Sequence, residues 1–350
     1  MKHRVRKKQT AALLPVPIRR VLLAAFLALP AAVRAAPPPD WVTRGVEAVY
    51  PREAYIAVTG RGKTAKLAEK DADAALSLYC IAEVTTVSRS RQTLTSDTGL
   101  YARLDSETFV HSVTRLFALR HTAPWYDRGE KTYTVAAYID RAEAWAIFEP
   151  RVRREAEEFR ALWRAAESET AALKSYFDYK RALEHTRRGD FVNTMNFGEI
   201  LYPQKMNALA GDIRQNIARL GAKLNEARNM AAVFIQCPVD FESAVSTALA
   251  RLLSAEGLPV TADKRRAAAI CTARVDEGFQ RVEGTGYFYY PRISVIITDR
   301  SGNALFSYSA APGKQAAMNP EVAKRRAYGE LAAALESDFS GEMNRQLGVR

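Results

Sequence analysis

Histidine is scarce in this 350-residue chain, with four in total, and His111, His121 and His185 are the three beyond the first few residues. They fall in a strand-like stretch, a loop and a helix-like stretch. Neither a His-Glu-x-x-His metal pair nor a Gly-x-Ser-x-Gly elbow occurs, and no glycine-rich cofactor fingerprint follows a strand-like run. With so few imidazoles a serine or cysteine triad would need an unusual composition. No residue therefore stands out as catalytic, cofactor-binding or metal-ligating, and the chain is expected not to be an enzyme. Cysteine is as sparse: Cys80, Cys237 and Cys271 are odd in number and widely spaced, which excludes a disulfide framework or a zinc pattern. Cys237 and Cys271 lie in apolar runs of one segment, so a single bridge and buried free thiols both stand as readings.

Long apolar runs are missing too. The longest, VLLAAFLALPAAV, follows MKHRVRKKQ and PIRR, and at about a dozen residues it is shorter than the roughly 18 to 20 that span a bilayer. A basic start, a short apolar core and small residues at Val33-Arg34-Ala35 make the layout of a secretory signal, with cleavage expected after Ala35 or Ala36. A retained N-terminal anchor is the alternative, and Arg19-Arg20 also permits a twin-arginine route. No cysteine stands at the end of this segment, so the usual acceptor of a lipid anchor is absent.

The charge shifts meaning once that segment is set aside. The whole chain carries +12, but eight basic and no acidic residues lie in residues 1–35, leaving 43 basic against 39 acidic side chains and a net of +4. A basic footprint for nucleic acid is not there.

About 315 remaining residues are enough for two domains and a connector. Residues 39–140 read as α+β: a buried strand at Tyr55 to Val58, then a helix capped by Thr64 with Ala65, Ala68, Ala72, Ala75, Leu76 and Tyr79 on one narrow face. Strands are expected at Val84 to Arg91, at Phe109 to Leu119 and in KTYTVAAYID, the last preceded by turn chemistry at Asp127-Arg128-Gly129-Glu130. Residues 141–230 carry two helical-period stripes, from Trp145 to Phe177 and from Met206 to Leu224, read as two antiparallel helices. Residues 231–350 return to α+β: strands in AAVFIQCPV and AAAICTARV, a helix between them ended by Gly257, a hairpin turning at Arg300-Ser301-Gly302, and a closing helix with Ala323, Ala327, Leu331, Ala334 and Leu335 on one face. The fold class is thus α+β, two small α/β-sandwich-like domains separated by an antiparallel helical hairpin.

AVTGRGKT, Ala57 to Thr64, fits a relaxed phosphate-loop pattern, in which backbone amides curl round phosphate oxygens at a helix N-terminus. Its first small position falls inside the strand, leaving the loop too short for two phosphates. The metal-holding aspartate it would need, with Asp299 the best placed, leads into a hairpin rather than a parallel sheet. The glycines are read instead as the turn from strand to helix. Asp71 and Asp73, two apart on that helix, point to different faces and read as solvated groups rather than a carboxylate pair.

Pro39-Asp40-Trp41, Tyr50-Pro51, Tyr55-Ile56, Gly60-Arg61-Gly62 and the spaced alanines, with Ala123-Pro124-Trp125-Tyr126, Gly129, Tyr133 and Tyr138-Ile139-Asp140-Arg141 further on, resemble the LPP-twenty lipoprotein family and the N-terminal domain of flagellar assembly protein T. The resemblance covers roughly residues 39 to 145 and lacks the lipidated cysteine. It implies a small α+β envelope domain with helices on one side of a sheet and no catalytic residues.

Gly284-Thr285-Gly286-Tyr287-Phe288-Tyr289-Tyr290-Pro291 gathers four aromatics. In a half-buried strand two face the core and two face water or a partner, and aromatic rings concentrate at interfaces. Tyr287, Phe288, Tyr289 and Tyr290 are therefore the candidate partner-contact residues. Lys264-Arg265-Arg266 and Lys324-Arg325-Arg326 read as solvated faces. The resulting expectation is an exported, non-enzymatic envelope protein, periplasmic with peripheral association to the outer membrane and no lipid anchor, acting as an assembly or scaffolding factor on other envelope proteins, cell-wall or flagellar components among them. The alternative is a regulatory module docking on a cell-wall synthase, and a nucleotide-binding enzyme using the Ala57–Thr64 loop comes last. No cofactor and no nucleic-acid partner is expected.

Overall fold

The computed structural model describes residues 37–92 and 119–348, with only the backbone for 84–92. The signal-like segment lies outside these residues, as does all but Leu119 of the strand expected at Phe109 to Leu119, His111 included. After a one-turn helix α1 (Asp40–Thr43) that buries Trp41, strand β1 (Tyr55–Gly62) pairs antiparallel with β4 (Thr132–Asp140), Tyr55 opposite Asp140 and Gly62 opposite Tyr133. The short strands β2 (Arg120–His121) and β3 (Trp125–Asp127) also pair with β4. The turn before β4 is set by Asp127, whose Oδ1 accepts from Gly129 N at 2.8 Å and Glu130 N at 3.2 Å.

Helix α2 (Ala65–Gln92) lies on this sheet through Ala68, Ala72, Leu76 and Cys80, all fully buried. Thr64 caps it, its Oγ1 accepting from Leu67 N at 3.2 Å. Gly60 and Gly62 do not make the turn that the sequence led us to expect. Both sit inside β1, where a Cβ on Gly60 would stand 2.1 Å from Ala72 N and 2.6 Å from Ala68 O. Their lack of a side chain lets helix and strand backbones touch. The strand expected over Val84 to Arg91 is helix as well. Val84, Thr85, Thr86 and Val87 each cost a helix only some tenths of a kcal/mol, and the turns before them have already crossed the nucleation barrier.

Four helices, not two, fill residues 141–230: α3 (Arg141–Ser168), α4 (Ala172–Arg187), α5 (Gly189–Leu201) and α6 (Pro203–Met230). Extended backbone at Glu169 and Arg188 ends α3 and α4, and Pro203 starts α6 without needing an amide partner. Helix α5 was hidden in the sequence because it is buried nearly all round, the polar Asn193, Thr194 and Asn196 included. Phe191, Met195, Phe197, Ile200 and Leu201 are all buried, so it has no amphipathic stripe. Arg141 ties it to the first sheet: Nη1 donates to Ile200 O and, at 2.9 Å, to Leu201 O, while Nε donates to Arg52 O at 2.8 Å. The orphan carbonyls at the end of α5 are thereby satisfied.

The last segment is a mixed five-stranded sheet of order β11-β10-β7-β5-β6, built from β5 (Val233–Gln236), β6 (Val260–Thr261), β7 (Ala269–Asp276), β10 (Arg292–Asp299) and β11 (Ala304–Ala310). β5 is parallel to both neighbours, and α7 (Ala244–Ala255) is the crossover from β5 to β6. Gly257 follows α7 at φ +86°, the left-handed conformation that closes helices. One face of the sheet buries Val233, Cys271, Ala273, Val295, Ile297 and Phe306; on the other, Ile296 is exposed. Helix α8 (Pro320–Gln346) covers the buried face, with Phe339 edge-on to Phe306 and Tyr308. The hairpin expected at Arg300-Ser301-Gly302 joins β10 to β11.

From Pro39 onward the chain forms one unit; the main apolar cluster runs from Ile56 to Leu347, and a small second one gathers round Tyr289. The protein is mixed α and β. The helical hairpin expected between two domains is a four-helix segment whose core is continuous with both sheets. Polar bonds reinforce the second junction: Lys180 Nζ meets Glu256 Oε2 at 2.5 Å, Tyr176 OH donates to Glu256 O at 2.7 Å, and Asn344 Nδ2 donates to Glu256 Oε1 at 3.1 Å.

Candidate functional site

The four aromatics from Tyr287 to Tyr290 do not enter the covered five-stranded sheet. They build a separate antiparallel sheet of order β12-β9-β8, from β8 (Gln280–Val282), β9 (Gly286–Tyr289) and β12 (Gln315–Ala317). Side chains alternate across a strand, and here the two faces differ. Tyr289 is buried against Ala323 and Ala327 of α8, with Tyr287 and Ala317 packed beside it. Phe279 stacks on Tyr287 at 6.2 Å and lies 5.1 Å from Tyr289, while the Arg281 guanidinium sits 5.8 Å from the Tyr287 ring. Phe288 belongs to the opposite face, with the Lys314 ammonium 4.8 Å from its ring centre and Gln280 and Ala316 exposed as its cross-strand neighbours. Tyr290 follows the strand and is exposed.

Large apolar side chains crowd the margin of this sheet. Phe279 is 53% exposed, Tyr290 41% and Met318 75%, and Val282 and Val322 are also exposed. Every residue of β8 is exposed, and among the described residues β8 pairs only with β9. Its outer edge therefore presents unpaired backbone amides and carbonyls, the template on which an extended segment of another chain can add a strand. Gly286, at φ +117°, brings β9 close to β12: a Cβ there would be 2.8 Å from Ala317 O.

The remaining sequence candidates go elsewhere. Within Ala57 to Thr64, Arg61 N donates to Asp71 Oδ2 at 2.9 Å, so a carboxylate of α2 takes an amide that a phosphate would need, and Lys63 is exposed. Asp73 is not merely solvated either: its Oδ1 lies 2.6 Å from His121 Nε2, pinning β2 to α2. Lys324-Arg325-Arg326 is engaged rather than free. Lys324 pairs with Glu277 at 2.8 Å, Arg325 forks onto Glu242, and Arg326 donates to Ala316 O at 3.1 Å. Arg265 and Arg266 stay exposed beside Asp263. The three cysteines are free thiols, and burial raises those of Cys80 and Cys271 to about 12 and that of Cys237 to about 11.

One grouping escaped the sequence entirely. Glu155 and Glu158 of α3 and His185 of α4 bring a ligand atom each to within 4.8 Å of one another. His185 is buried against the Phe191 ring at 4.9 Å, and burial holds its pKa below the usual range against the opposing pull of Glu155. The available signal was a Glu-x-x-Glu pair, which shares a helix face, opposite a histidine on an apolar stripe, but only the α3–α4 pairing register aligns them.

No family model matches the chain, and no curated protein matches it. Among solved structures, the chain is similar to the secreted protein HP1454 of Helicobacter pylori, at TM-score 0.34 and 12% identity over 84% of this chain and 98% of that one. A minor lipoprotein of Acinetobacter baumannii aligns at TM-score 0.23 and 19% identity, over 33% of this chain and 96% of that one. Lipoprotein GNA1162 of Neisseria meningitidis aligns at TM-score 0.22 and 15% identity, over 32% and 99%. At these scores none of the three carries a functional inference.

Proposed function

We propose that the protein is an exported, non-enzymatic envelope component that acts as an assembly or scaffolding factor by binding another envelope protein through the β8–β9–β12 sheet. The observation that carries this reading is the pair of exposed aromatic side chains, Phe279 and Tyr290, beside the open edge of β8, with Met318 exposed just past β12 on the far side of the same sheet. Apolar side chains of this size, gathered beside a free strand edge, are what strand-adding interfaces use. Arg281 and Lys314 flank the aromatic rings and favour a partner segment that carries acidic residues.

The secretory layout of residues 1–35 and the resemblance over 39–145 support a periplasmic setting. Fractionation of cells tests the location, and crosslinking in intact cells with identification of the adduct tests the role. Recovery of structural envelope proteins supports a scaffold, recovery of a cell-wall synthase alone supports the regulatory alternative, and a cytoplasmic protein without adducts refutes both.

A further inference from the structure

We propose that Glu155, Glu158 and His185 form a binding site for one divalent transition-metal ion of the zinc class, clamping α3 to α4. The His185 side chain is 4% exposed and its Nε2 has no hydrogen-bond partner, although it points at a carboxylate: Glu155 Oε2 lies 3.7 Å away, and the Glu155 side chain is itself 8% exposed. That separation is too long for a hydrogen bond. It is close to the edge of a tetrahedral metal site, where two donors about 2.0 to 2.2 Å from the ion stand about 3.4 Å apart. A buried imidazole nitrogen left without a partner is costly, and an ion between the two side chains would satisfy both at once.

The surroundings fit three protein ligands and an open fourth position. Glu158 shares the helix face with Glu155 and is exposed, so its side chain can swing onto the ion while water completes the shell. Arg154 Nη2 holds the other oxygen of Glu155, Oε1, at 3.3 Å and leaves Oε2 for the metal, the kind of outer contact that orients a ligand. One neighbour opposes the ion. Arg188 Nη1 is 3.4 Å from His185 Nδ1; with a metal on Nε2 the ring proton moves to Nδ1, and Arg188 must turn away. Arg188 is exposed and ends its helix, so solvent is open to it. One nitrogen and two carboxylate oxygens suit zinc, cobalt or nickel better than magnesium, which prefers an all-oxygen octahedron.

The test uses the full chain stripped with a chelator and titrated with zinc chloride by calorimetry, with cobalt(II) absorption reporting geometry. The expected result is one ion per chain, a cobalt spectrum of low coordination number, and a raised melting temperature. Glu158→Ala, at an exposed position that leaves the core untouched, should weaken binding by about tenfold or more, as loss of one of three ligands requires, and His185→Gln should abolish it. Arg188→Ala should tighten binding. The proposal is overturned if the wild-type chain takes up no zinc, or if Glu158→Ala and Arg188→Ala both bind as the wild type does, which would place the ion elsewhere.

Discussion

Gln346 stands beside Ser307 as a neighbouring strand would: its Nε2 donates to Ser307 O at 2.8 Å, and its Oε1 accepts from Ser307 N at 3.1 Å. β11 is one edge of the five-stranded sheet, β6 being the other, and the last turn of α8 caps β11 at Ser307 with a side-chain amide. β8 has no such cover among the described residues. The β11 edge is thus capped at Ser307 while the β8 edge is bare, the contrast expected if β8 is where the proposed partner strand adds. Gln346→Ala should cost about 1 kcal/mol and produce concentration-dependent self-association in sedimentation velocity. A strictly monomeric variant would show that the amide does not guard the edge.

Gly60→Ala should be among the most damaging single-methyl changes in the chain. The added Cβ meets backbone, Ala72 N at 2.1 Å, and no side chain can yield to it. A loss of about 3 kcal/mol is expected in denaturant unfolding. Lys63→Ala, by contrast, should change stability by less than about 0.5 kcal/mol and should leave any ATP signal at its background level; a nucleotide affinity that vanished with Lys63 would restore the phosphate-loop reading.

Stability should fall in acid through Asp212. Arg160 forks onto its carboxylate at 2.7 and 2.8 Å, bridging α3 to α6 just past the kink at Ala210, and also donates to Leu209 O at 2.6 Å. The Arg160 hydrogen bonds to the Asp212 carboxylate lower its pKa, with desolvation opposing them. A depressed folded pKa contributes stability above the unfolded value of about 3.9, and the contribution is lost as pH falls through the folded value. The carboxylate is half exposed, so the gain is about 0.5 kcal/mol. Asp212→Asn should therefore trail the wild type by a constant margin from pH 5 to 8, and the two should converge below about pH 4; a gap that widened in acid would contradict the assignment.

Thiol labelling at pH 8 should separate the cysteines. Cys237 is partly exposed, whereas Cys80 and Cys271 are buried with thiols near 12, and the thiolate is the reacting form. Labelling by a disulfide reagent in the native state should start at Cys237, with all three reacting once the chain is unfolded. Equal native rates would mean the core around Cys271 opens readily.

Much of this architecture was legible in the sequence. The alanine stripe of α2, the β10–β11 hairpin around Gly302 and the closing helix announce themselves because one face of each is buried and one is wet, which leaves a period to read. What failed did so for the opposite reason. α5 is buried on all sides and has no period, and the stretch from Val84 favours strands locally but continues a helix already formed. Gly60 and Gly62 look like turn residues, yet what they serve is the close approach of the helix that follows, at Leu67, Ala68 and Ala72. The aromatic run was visible as an oddity, but its sheet depends on β12, some 25 residues further on. The Glu155, Glu158 and His185 grouping was invisible because it needs the register of two helices.

The most direct test of the account is a photo-crosslinking residue placed at Tyr290, with Ile296 as control. Both positions are 41% exposed, one at the aromatic margin and one on the open face of the five-stranded sheet. In intact cells, position 290 should give an adduct with an envelope protein and position 296 should give none. Equal labelling at both, or none at 290, would contradict a partner-binding sheet.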